Sequence, residues 1–75
     1  MTTSLSLLQT GSIGKIVRIK SPELEMHLMN MGVLIGDVFI LSNIAPFGGP
    51  LAISINGTKI SFRKRDAAQI IIEPQ

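Results

Sequence analysis

Apolar and polar residues alternate with period two along much of this chain, and the clearest alternation sits near its C-terminal half. Leu51, Ile53 and Ile55 alternate with Ala52 and Ser54, and Ile60 and Phe62 alternate with Lys59 and Ser61. Asn56-Gly57 separates the two runs, and that pair tolerates the positive φ required at both centres of a two-residue type I′ turn. A two-residue loop fixes the register: Ile55 opposite Thr58, Ile53 opposite Ile60 and Leu51 opposite Phe62. Every large apolar side chain then falls on one face, and Ala52, Ser54, Lys59, Ser61 and Arg63 fall on the other.

Other strands follow from weaker patterns. From Ile13 to Lys20, Val17 and Ile19 share one face while Arg18 and Lys20 point the other way. Gly36-Asp37 opens a strand from Val38 to Ile44 whose near-continuous apolar character predicts burial on both faces or packing beneath a helix. Pro46 ends its pairing, and Gly48 and Gly49 supply turn freedom before Pro50. Asp66-Ala67-Ala68-Gln69 reads as one helical turn with an aspartate cap. A last strand, Ile70 to Glu73, leads to Pro74-Gln75 at a sheet edge. The N-terminal Leu5, Leu7 and Leu8, ahead of the Gln9 to Ser12 turn, are predicted to lie across the sheet as a short cover.

One segment carries helical period instead. Ser21-Pro22 reads as an N-cap followed by proline at the first helical position, and Glu23 and Glu25 lie near the positive end of the helix dipole. Gly32 stops the helix after Met31, because a residue just past the last turn commonly takes positive φ. At 100° per residue Leu24, Leu28 and Met31 form the core face, and Met26 and Met29 fall roughly opposite. About five short strands around one core, with one inserted helix, predict a mainly β, small SH3-like barrel.

Size sharpens this picture. At 75 residues the chain is read as one domain, residues 1–75, with an expected folded surface of about 4,500 Å². Hydrophobic residues make up 45% of it, more than so small a core can take, so some apolar surface stays exposed to meet a partner. Self-association through an open strand edge is one use for that surface. The chain has no cysteine, which removes disulfides and thiolate metal sites. The start has no basic leader and no apolar run reaches membrane-spanning length, so a cytoplasmic protein without membrane insertion is expected.

The residues that carry chemistry are few. With a lone histidine, His27, and no nucleophile-elbow motif, nucleophilic catalysis has no centre, and the chain is read as a non-enzyme. Glu23 and His27 stand at i and i+4, yet two ligands do not make a metal site and no third is evident, so neither a metal nor a cofactor is expected. Arg63-Lys64-Arg65 is the one basic cluster. A formal charge of +2 and the lack of tryptophan and tyrosine argue for a solvated edge and against nucleic acid. The glycine-rich stretches Gly11 to Gly14 and Pro46 to Pro50 lack the Gly-Lys-Ser/Thr of a phosphate loop and read as turns. The candidate partner-binding residues are Met26 and Met29, whose flexible thioethers suit adaptable surfaces, with Pro46, Phe47, Gly48, Gly49 and Pro50.

The order Leu28, Met31-Gly32, Gly36-Asp37, Pro46 to Pro50, Phe62-Arg63 and Ala67 to Ile70 resembles the FeoA family, ferrous iron transport protein A, across nearly the whole chain. That resemblance implies an SH3-like domain that acts as a cytoplasmic, non-catalytic accessory of FeoB, a membrane ferrous iron transporter with a cytoplasmic G-protein domain, and a chain running from Met1 to just beyond the last strand is expected to be freestanding. It also implies an alternative, because similar modules form the C-terminal part of iron-dependent transcription regulators; a nucleic-acid-binding barrel would use Arg63 to Arg65. Two positions depart from the family pattern: His27 stands where arginine is common, and Gly49 where the turn often holds aspartate.

Overall fold

The computed structural model describes all residues, Met1–Gln75. The strands are β1 (Thr3–Ser4), β2 (Ile13–Ile19), β3 (Val38–Ile44), β4 (Leu51–Ile55), β5 (Thr58–Phe62) and β6 (Ile70–Pro74). A 3-10 turn spans Leu5–Leu7, α1 spans Pro22–Asn30 and α2 spans Lys64–Ala67. One antiparallel sheet runs β1-β6-β2-β3-β4-β5. Strongly coiled, it takes the SH3-like form without β1 and β5 pairing, so backbone hydrogen bonds do not close the barrel. Its accessible surface is 4649 Å², near the sequence expectation.

The β4–β5 hairpin has the register that its turn residues dictate, Ile55↔Thr58, Ile53↔Ile60 and Leu51↔Phe62. Asn56 and Gly57 both have positive φ, 51° and 76°, as a type I′ turn requires. Ala52 faces outward yet is buried, because a small side chain between Asn43 and Ser61 is covered by its larger neighbours.

The helix also begins and ends as its sequence directs. The Ser21 hydroxyl accepts the Leu24 N–H at 3.2 Å, and Pro22 opens the first turn. At the other end the Val33 N–H bonds the Leu28 carbonyl at 2.9 Å and the Gly32 N–H bonds that of Met29 at 3.0 Å, with Gly32 at φ 86°. This is a Schellman motif, in which the residue after the glycine packs against the start of the last turn. Val33 and Leu28 accordingly lie in the core, while Met31 is 41% exposed. The helical period that places Met31 in the core stops before reaching it, and Val33 takes that place.

Four further expectations are corrected. In β2 an extra residue, Val17, faces the β6 pair Ile72 and Ile71, and this bulge transfers the inward phase from Gly14 and Ile16 to Ile19. Val17 is therefore only half-buried and does not share a core face with Ile19. In β3 only Phe39 and Leu41 are buried, and Val38, Ile40 and Ile44 are exposed, because neither the helix nor a second layer covers the outer face. The helical turn starts at Lys64 and is preceded by Arg63, so Asp66 lies inside it and caps nothing. Finally, β6 lies between β1 and β2, so Pro74 and Gln75 do not end at an edge: Pro74 faces Gly14 and the Gln75 N–H bonds the Ile13 carbonyl at 2.9 Å.

One core of 15 buried residues draws on all of these elements except β1, including Leu5 from the N-terminal turn and Ala67 from α2. Leu5 and Leu8 do cover the core as expected, but Leu7 points into solvent.

Candidate functional site

The molecule has no enclosed cavity, so its candidate sites are surfaces. On α1, Met26 and Met29 are 66% and 54% exposed, opposite the buried Leu28. Met31, Leu34 and Ile35, which follow along the loop that leads to β3, are exposed as well. That loop is held in shape from inside and across the sheet. Asp37 Oδ2 accepts the Leu34 N–H at 2.9 Å and the Asn56 side-chain amide at 3.0 Å, and the same amide donates to the Gly32 carbonyl at 3.3 Å. The β4–β5 hairpin tip thereby braces the loop, and an exposed apolar loop with fixed geometry loses little freedom on binding.

The Pro46–Pro50 turn lies at the other end of β3. Its ends are tied by the Ala45 N–H to the Pro50 carbonyl, 2.9 Å, and the Gly49 N–H to the Pro46 carbonyl, 3.2 Å. Phe47 has φ 59° and is followed by Gly48 at 72°. A bulky residue in the left-handed region is an outlier, and this one holds a fully exposed phenyl ring. β3 separates this turn from the α1 loop, with a contour of about 20 Å at ~3.3 Å per residue. The structure thus places Met26 and Met29 on one surface and Pro46 to Pro50 on another.

The turn has a neighbour that sequence reasoning treated separately. Gly48, Gly49 and Pro50 line an open groove of about 390 Å³ whose other wall is Arg63, Lys64 and Arg65. The signal was present in the hairpin register: with Leu51 opposite Phe62, the residues just beyond, Pro50 and Arg63, must also be close.

Among titratable side chains, no group of three or more His, Cys, Asp or Glu is placed to hold a metal ion, and Glu23 and His27 gain no third partner. Every buried side-chain nitrogen and oxygen atom has a hydrogen-bond partner, so no polar group is left aimed at an absent ligand. No helix is long and apolar enough to cross a membrane.

These features define a small SH3-like domain with exposed apolar residues on α1 and its loop, on the outer face of β3 and at Phe47, with a basic groove and no gathered catalytic set. The chain belongs to the FeoA domain family, whose model matches residues 3–74. The crystal structure of an iron uptake regulatory protein, FeoA, is similar over 100% of this chain and 99% of its own, with 25% identity and a TM-score of 0.85. The solution structure of iron(II) transport protein A from Clostridium thermocellum shares 34% identity over 96% of this chain and 45% of its own, with a TM-score of 0.86. A manganese-dependent transcriptional repressor complexed with manganese shares the fold over 99% of this chain and 37% of its own, at 17% identity and a TM-score of 0.88. No curated protein matches the chain in sequence.

Proposed function

We propose that this protein is a cytoplasmic, non-catalytic accessory of ferrous iron uptake that docks on the cytoplasmic portion of a FeoB-type transporter. Family membership supports the link to iron transport. The observation that carries docking is the apolar surface of Met26, Met29, Met31, Leu34 and Ile35, all at least 41% exposed and braced by Asn56 and Asp37. The Pro46–Pro50 turn, with Phe47 held outward, is the second contact. A module of this kind influences a transporter only by binding one of its conformations more tightly than another, and it need not touch iron.

An NMR titration of the isotopically labelled protein with the cytoplasmic part of FeoB from the same genome tests this. Perturbation centred on Met26, Met29, Leu34 and Ile35, with Phe47 and Gly48 following, supports the reading. An unchanged spectrum at high micromolar transporter fragment would refute cytoplasmic docking.

A further inference from the structure

β5 pairs with β4 alone, so one side of it is an open sheet edge. Along an antiparallel ladder, residues alternate between those that exchange hydrogen bonds with their partner and those whose N–H and C=O point away. The two-residue loop makes Ile55 and Thr58 a bonded pair, and Ile53–Ile60 and Leu51–Phe62 follow in phase. Lys59 and Ser61 therefore direct their backbone groups to the open edge. No backbone hydrogen bond outside the regular ladders uses any residue from Thr58 to Phe62.

This edge is also basic. Lys59 is exposed, and Arg63, Lys64 and Arg65 are exposed at its C-terminal end, where they line the 390 Å³ groove. None of the side-chain hydrogen bonds in the protein involves these four cations. Asp66 is the acidic residue nearest to them along the chain, and its carboxylate takes part in none of the side-chain hydrogen bonds.

We propose that the free β5 edge and the basic groove at its end bind an extended acidic segment of a partner polypeptide, added as a further strand. Main-chain hydrogen bonds to Lys59 and Ser61 would supply the pairing, and alternate carboxylates facing Lys59 and Arg63 would supply the selectivity. A second copy of this edge is disfavoured, because pairing would bring Lys59 and Arg63 against the same cations. Nucleic acid fits less well. Lys15, Arg18 and Lys20 lie on or just after β2, separated from β5 by β3 and β4, so the positive charge does not form a continuous track. The site rests on the strand edge and not on the α1 surface, and it stands whether or not the transporter is the partner.

The test uses the full chain, isotopically labelled, and a capped synthetic peptide of alternating threonine and glutamate, with a threonine–lysine peptide and a DNA duplex as comparisons. The Lys59 and Ser61 amides should shift and gain protection from hydrogen exchange with the glutamate peptide only, and binding should weaken as salt is raised. Ser61→Pro removes an outward N–H where an edge strand tolerates proline, and it should lower affinity about tenfold, the loss of roughly one hydrogen bond. Arg63→Glu should do the same without touching the ladder, which keeps the test decisive if the proline variant is poorly folded. Unchanged amides at Lys59 and Ser61, peptide affinity indifferent to Arg63→Glu, tighter binding of the duplex, or a dimer formed through β5 would each overturn the proposal.

Discussion

Gly14 sits in β2 directly opposite Phe39 of β3, and the Phe39 ring folds over it. A Cβ at this position would lie 2.9 Å from Phe39 Cζ, 3.2 Å from Cε1 and 3.4 Å from Ile72 Cδ1. Phe39 is 1% exposed and Ile72 is fully buried, so neither can withdraw without disturbing the rest of the core. Overpacking of this kind costs ~1–3 kcal/mol. Replacing glycine also restricts the unfolded chain, which returns about 0.4–1 kcal/mol. Taken at their midpoints, the two terms leave Gly14→Ala less stable by about 1.3 kcal/mol, equivalent to a melting temperature roughly 5–10 °C lower in a domain of this size. With no tryptophan or tyrosine in the chain, far-UV circular dichroism in urea and on heating is the suitable assay. The double variant Gly14→Ala/Phe39→Leu, which shortens the obstructing ring, should be more stable than the two single losses added together predict, by at least about 0.5 kcal/mol. Wild-type stability for Gly14→Ala, or strict additivity in the double variant, would refute the claim that this glycine is required by the ring above it.

Three other outcomes follow from the same structure. Asn56→Gly keeps a residue suited to positive φ but deletes the bonds to Asp37 and Gly32, and should cost about 0.5–1 kcal/mol while speeding amide exchange at Leu34; Asn56→Ala should cost about 1 kcal/mol more from left-handed strain. Wild-type stability and unchanged Leu34 exchange in Asn56→Gly would contradict the brace, and equal stability of the two variants would contradict the left-handed strain. Phe47→Asn relieves a left-handed bulky residue that touches no core side chain, so it should raise stability by up to about 1 kcal/mol in thermal unfolding while weakening any complex that uses the turn. Met26→Lys with Met29→Lys replaces two exposed side chains, so unfolding should change by no more than about 0.5 kcal/mol each, whereas affinity for the cytoplasmic part of the transporter should fall; wholesale unfolding would place these residues in the core.

Much of the fold was legible because it is governed by residues a few positions apart. Asn56-Gly57 dictated the hairpin register, Ser21-Pro22 dictated the helix start, and Gly32 dictated its end. Even Val33 could have been found, since a glycine just past a helix implies an apolar residue after it that packs back on the last turn. The inward phase of β2 and β3 was harder to read. Val17 and Ser42 are extra residues in their strands, and a bulge is defined only by what stands opposite it on β6 or β4. Similarly, the outer face of β3 reads as buried in sequence, because an apolar run does not reveal whether anything covers it.

The sequence by itself determined the local units of this protein: two turns with positive φ, a capped helix, alternating strands and a family-wide order of glycines and prolines. Only the tertiary structure decided which strand became the open edge and that Gly14 had to remain without a side chain. It also decided that the space between Gly48 to Pro50 and Arg63 to Arg65, neighbours by the hairpin register, was left as an open groove. Turns and caps are fixed by short-range sterics and hydrogen bonds within a few residues. Edges, bulges and grooves arise from pairings between segments far apart in the chain, where each segment's exposure depends on what the others leave uncovered.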